Sequence, residues 1–284
     1  MEYPAGITFS KRDDGVWASY DGVVTENSLD IWAIIYLLNE NFFSTDKPNI
    51  IHLEAANITV GLRLYFLADV FKNIAFDPKK GIVREKVEDL LNNIGAKYLT
   101  YDDKDDSLSY YKAKPHSESL VEENILQNLP RLFKNEFSES ARLIRQFPAH
   151  IFEGKISEVT QVAERLWINA LTVNKLGQLS IIDLEAEGNY SADALVRAID
   201  YAIFCHFFKE RVAKYWPDKS GEIIKNKIAI YCIAKKFHYP LGGKKGVKSL
   251  IIKNTLCDII FIELKVKDHN LINKTECIFN TRKL

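Results

Sequence analysis

Apolar and polar residues alternate from Gly6 to Val24, and Asp13-Asp14-Gly15 interrupts the alternation. The chain is therefore predicted to open with two antiparallel strands joined at an Asp-Gly turn. The period then changes. From Thr25 to Asn41 the residues Leu29, Trp32, Ala33, Tyr36 and Leu37 recur at helical spacing, with Thr25 or Ser28 as N-cap. A second helix is expected over Val60 to Ile74, where Leu62, Leu64, Phe66, Leu67, Val70, Phe71 and Ile74 exceed one narrow stripe, as in a helix buried on much of its surface. Ile82 to Asn93 reads as a short amphipathic helix. After it, Lys97 to Tyr101 faces Leu108 to Tyr111 across the acidic turn Asp102 to Ser107, the outline of a winged helix. The turn carboxylates Asp102, Asp103, Asp105 and Asp106 would repel phosphates, so this half points to a structural or protein-partner role.

Polar residues and a proline at Ala113 to Ser117 break both patterns, and Ser119-x-x-Glu122 forms a capping box. The expected division is an N-terminal α+β domain over residues 1–116 and a second domain over 117–284. In the second part Ser138 to Gln146 reads as a helix ended by Phe147-Pro148. Glu164 to Val173 and Gln178 to Glu185 read as strands around the turn Asn174 to Gly177. The long apolar run Ala192 to Phe208 is helical, and Lys227 to Lys235 and Leu256 to Val266 are further strands. This order predicts an α/β fold, a mixed sheet flanked by helices.

Composition narrows the chemistry. A chain of 284 residues with 47% hydrophobic content can bury a sizeable core. No apolar stretch reaches the ~20 residues of a membrane span, and the first residues lack signal-peptide features, so a cytoplasmic protein without membrane contact is expected. Cys205, Cys232 and Cys257 lie in apolar runs as small core residues; with Cys277 they form no C-x-x-C pair. Charge sums to zero, 38 Lys and Arg against 38 Asp and Glu, which removes the simplest electrostatic argument for nucleic-acid binding. Lysines nevertheless gather over Lys209 to Lys253. The six histidines show no ligand spacing, and His206 beside Cys205 reads as a core residue. Gly242 to Gly246 lacks the spacing of a phosphate loop, and neither a G-x-S-x-G elbow nor a dinucleotide glycine motif is present.

The residues of the second part resemble a family. Arg165-Leu166-Trp167-Ile168-Asn169-Ala170-Leu171, the turn through Gly177, and Leu179-Ser180-Ile181-Ile182-Asp183-Leu184-Glu185 resemble the hairpin of PD-(D/E)xK nucleases. Arg197 and Tyr201 are similar to the Q-x-x-x-Y helix of one branch, with arginine for glutamine. Glu139 matches the acidic residue of the first helix, and Ala234 to Phe237 resembles the A-x-x-F that ends a late strand. The resemblance implies a restriction-endonuclease-like fold and a centre at Glu139, Asp183, Glu185 and Arg197, with Glu139, Asp183 and Glu185 as ligands of Mg²⁺ if the protein is active.

Family chemistry needs two carboxylates that converge on a metal ion to polarise the phosphate and activate water, with a lysine on the same strand face two residues on. Here Asp183 stands at the second carboxylate, Trp167 at the first, and Glu185 at the lysine. Tryptophan offers no oxygen to a hard cation, so a missing ligand would have to come from Glu139, Asn169 or Glu187. Three readings follow: a degenerate nuclease fold that binds DNA or other nucleic acid or docks in an assembly through its N-terminal domain, an active Mg²⁺-dependent endonuclease in which Arg197 contacts phosphate or braces the site, and a scaffold without nucleic-acid contact. Asp258 with Ile262-Glu263-Leu264-Lys265 also has the letters of D…E-x-K, but no long helix follows it, so a strand near the C-terminus is expected there.

Overall fold

The computed structural model describes residues 7–20, 51–54, 58–70, 74–77, 81–101, 120–163, 167–185, 194–225, 227–234, 237, 249–265 and 280–283. They fall into two compact units, one drawn from residues 1–99, 151–164 and 239–241, the other from 100–150, 165–238 and 242–284. Among the described residues no helix is long and apolar enough to cross a membrane.

In the first unit the expected hairpin is present. Strands β1 (Ile7–Arg12) and β2 (Gly15–Tyr20) pair antiparallel with Arg12 opposite Gly15, so Asp13 and Asp14 make the turn. Gly15 takes φ 139°, a region that favours glycine. Strand β2 then pairs parallel with β3 (Ile51–Glu54), and β3 with β4 (Ile74–Asp77). Helix α1 (Ile58–Val70) ends earlier than its apolar pattern suggested, because Ile74 belongs to β4. Helix α2 (Gly81–Asn93) agrees with expectation, and β5 (Tyr98–Leu99) pairs with Phe152–Glu153. The helix expected over 25–41 and the strand over 108–111 lie outside the described residues, as does the glycine-lysine run 242–246.

The second unit is built on a mixed sheet. Helices α3 (Leu120–Gln127) and α4 (Leu129–Leu132) come first. The helix expected over Ser138 to Gln146 is absent: Ser138 to Ser140 turn, and Ile144–Pro148 form strand β6. The reason is tertiary. Strand β6 pairs with β8 (Trp167–Val173) from Ile144–Leu171 to Pro148–Trp167, and this ladder outweighs the modest helix preference of a short serine-rich segment. Pro148 is tolerated because β6 is an edge strand, where a missing N–H breaks no ladder. The short strand Phe152–Glu153, which belongs to the first unit, is β7.

Strand β8 turns into β9 (Leu179–Glu185) through Asn174 to Gly177. Asn174 Oδ1 accepts from the backbone N–H groups of Leu176 and Gln178 at 3.0 Å each, and Gly177 adopts φ 72°. Helix α5 (Ala194–Phe207) crosses over to β10 (Ile228–Ala234), parallel to β9, and β10 pairs parallel with β12 (Thr255–Lys265). On the far side of β12 run β11 (Ser249–Ile252) and β13 (Asn280–Lys283). The Ile262-Glu263-Leu264-Lys265 run is therefore part of an interior strand.

Side-chain parity divides the sheet. Ala170, Ile182, Leu184, Tyr231 and Ile233 pack with Ile125, Leu126, Leu129, Phe133 and Phe137 in one buried cluster. Each isoleucine, leucine and phenylalanine among them contributes roughly 1.5–3 kcal/mol by leaving water. The other face meets α5, where the Cys232 thiol donates to the carbonyl of Ala194 at 3.7 Å. Asp183 and Glu185, odd-numbered in the same strand as Ile182 and Leu184, turn toward α5. Cys205, Cys232 and Cys257 are buried free thiols.

Candidate functional site

Strand β9 buries Asp183, only 2% exposed, among isoleucines and leucines. A carboxylate taken out of water this far must be matched by a cation and by hydrogen bonds. Arg197, the fourth residue of α5, supplies both. Its Nε donates to Asp183 Oδ1 at 2.9 Å and its Nη2 to Oδ2 at 3.1 Å, and the same Nη2 donates to Glu185 Oε2 at 2.8 Å. The planar fork therefore spans two carboxylates that the period of the strand sets on one face. Burial opposes the charge on Arg197, but the fields and hydrogen bonds of Asp183 and Glu185 outweigh it and raise its pKa, so the guanidinium stays charged.

One turn along α5, Tyr201 donates its hydroxyl to the backbone carbonyl of Trp167 at 2.9 Å. Burial, and then the charge of Asp183, hold this phenol well above the ordinary tyrosine range. The Cys232 thiol is raised by burial and by Asp183 in the same way, so it is neutral. The charges described around this centre are the carboxylates of Asp183, Glu185 and Asp200 and the guanidinium of Arg197.

Trp167 is half-buried and meets the fully buried His150 edge to face, with ring centroids 5.3 Å apart; His150 in turn tilts against Tyr101 at 5.5 Å. The strand register adds a second point. Its last paired residues are Ala170 and Ile182, and one further step sets Asn169, not Trp167, beside Asp183. Asn169 is used locally: its Oδ1 accepts from the backbone N–H of Leu184 at 3.0 Å. Glu139, expected on a helix, lies in the exposed turn that precedes β6. Glu187 lies outside the described residues.

Asp183, Glu185 and Arg197 are thus brought together, and Glu139 stands on a different kind of element from the one expected. Among the described residues no group of three or more His, Cys, Asp or Glu side chains could hold a metal ion. Both oxygens of Asp183 and one of Glu185 accept from the guanidinium, a fixed cation that competes with a hard metal for the same donors. No protein-family model, curated protein or solved structure matches the chain.

A concave feature elsewhere in this unit was missed in the sequence. His206, expected as a core residue, is half-buried and lines a groove of about 420 Å³ with Phe207, Lys209, Arg211 and Lys214. The signal available was the cationic run Lys209 to Lys214 directly after an apolar helix.

Proposed function

We propose that the second unit is a nuclease-like domain with a degenerate centre, and that the protein works by binding nucleic acid, without cutting it. The observation that carries this reading is the fork of Arg197 on Asp183 and Glu185, which puts a permanent protein cation where the chemistry of a nuclease requires an exchangeable one. The order of elements supports the family resemblance: a hairpin bearing the carboxylate, a long helix after it, then a strand parallel to the hairpin's second strand. Arg197 and Tyr201, at the positions of the family's Q-x-x-x-Y helix, both reach back to the hairpin. Docking in a larger assembly is the companion reading, and it takes over if nucleic acid is not bound.

The test is a titration of labelled single- and double-stranded DNA and RNA, with Mg²⁺, with Mn²⁺ and with chelator, followed by a gel. Binding that is independent of the metal and leaves the strands intact is expected, with affinity falling as salt rises. Metal-dependent cleavage abolished by Asp183→Ala would establish an endonuclease and overturn the proposal. Neither binding nor cleavage would leave docking or a scaffold.

A further inference from the structure

The groove beside His206 lies at the end of the sheet away from Asp183 and Glu185. Leu179, Ile228 and Cys257 stand in register at its end, whereas Glu185, Ala234 and Glu263 stand in register at the other. Along α5, nine residues separate Arg197 from His206, a rise of roughly 14 Å. The two features belong to the same unit and are separate sites.

The lining is built from opposites. Lys209, Arg211 and Lys214 bring three basic side chains against one carboxylate, Glu210, and Phe207 and Ile224 supply apolar surface. Ile224 is 42% exposed there, and Lys253 sits over the Phe207 ring, 5.1 Å from its centroid. Lys209 is buried, which lysine side chains seldom are. Burial, set against the weaker fields of Cys257 and Cys205, lowers its pKa. Both thiols are themselves neutral, since burial pushes Cys257 up to about 12 and Cys205 higher still. With three basic side chains to one carboxylate, the lining favours a ligand that carries more than one negative charge. The imidazole of His206 faces the hydroxyl of Thr255 through Nδ1 at 2.8 Å, which fixes the ring at the groove wall. Arg211 offers a planar fork of the shape that phosphate oxygens accept. The volume, about 420 Å³, falls within the range of small-molecule sites.

We infer that this groove binds a phosphate monoester carried on a flat ring, that is a mononucleotide, either free or as the 5′-terminal nucleotide of a strand. The phosphate meets Lys209, Arg211 and Lys214, and the ring lies on Phe207 and Ile224. This inference does not depend on the reading of the Asp183 centre.

The test is calorimetric titration of the full chain with adenosine 5′-monophosphate, with inorganic phosphate and with adenosine. The monophosphate is expected to bind more tightly than either fragment, and an oligonucleotide with a 5′-phosphate, but not the same strand with a 5′-hydroxyl, should compete if the natural source is a strand end. Lys214→Glu, at an exposed position, should weaken binding roughly tenfold or more. Glu210→Gln should strengthen it, a gain that misfolding cannot imitate. Competition by neither oligonucleotide points to a free mononucleotide. No binding of the monophosphate, binding indifferent to both substitutions, or equal competition by the phosphorylated and hydroxyl strands overturns the inference.

Discussion

Asp183 sits in a strand of apolar neighbours, and its carboxylate is held there by two donors of Arg197, whose side chain keeps 28% of its surface in contact with solvent. Taking one member away leaves the other charge buried and unmatched, which costs about 3–5 kcal/mol. Arg197→Met is therefore expected to lower stability by roughly that amount, somewhat less to the extent that Arg197 reaches water, as read from urea midpoints. Combining it with Asp183→Leu should recover most of the loss, since an apolar pair of similar size is often neutral or better in such a place. A double variant as unstable as Arg197→Met alone would show that the guanidinium is held by something other than the carboxylates. Thermal stability should also be unchanged by millimolar Mg²⁺, because a ligand stabilises only the state that binds it; a metal-dependent rise in Tm would mean that the cation at this centre is exchangeable.

At the level of elements, the hairpin β8–β9 owes its register to its turn. Asn174, 4% exposed, accepts two backbone N–H groups and donates from Nδ2 to Gln178 Oε1 at 2.8 Å. Asn174→Ala leaves those donors without this acceptor and is expected to cost about 1–3 kcal/mol. Gly177→Ala places a Cβ at φ 72° and should cost about 1–2 kcal/mol. The two losses should fall short of additive, since both loosen one turn, and strictly additive urea midpoints would contradict that shared role. The edge strand β6 teaches a different lesson. Its residues carry no strong strand signal, and only the exposed edge of β8 gives them a ladder to join.

For the molecule as a whole, pH acts through His206. Burial, then the charges of Lys209 and Lys253, lower its pKa from 6.5 to about 4. The folded state therefore favours the neutral ring more strongly than the unfolded chain does. The resulting stabilisation is fully present above pH 6.5 and is lost as pH falls through about 4. The wild-type protein should lose stability relative to His206→Gln as pH is lowered across that window, and parallel denaturation curves for the two at pH 7 and pH 4.5 would contradict it. A phosphate monoester in the groove would oppose the loss, since an anion beside Lys209 and Lys253 makes protonation of His206 easier.

Several features were fixed by the local order of residues. The opening hairpin, α2, the strands β8, β9, β10 and β12, and the long helix α5 follow from periodicities of two and 3.6, from apolar runs of strand length and from turn residues with one favoured conformation. The juxtaposition of Asp183 and Glu185 was equally legible, because residues two apart in a strand share a face. Other features needed the assembled sheet. Ser138 to Pro148 became turn and strand because an open edge was available, and Glu139 left its expected helix for that reason. Only the crossover of α5 over β9 could show that Arg197 grips both carboxylates, and only the register could set Asn169 beside Asp183. The sequence by itself determined which side chains lie on a common strand or helix face, since backbone geometry is local; which charges meet across elements was decided by tertiary packing, since a buried carboxylate takes the partner that the fold brings within hydrogen-bond distance.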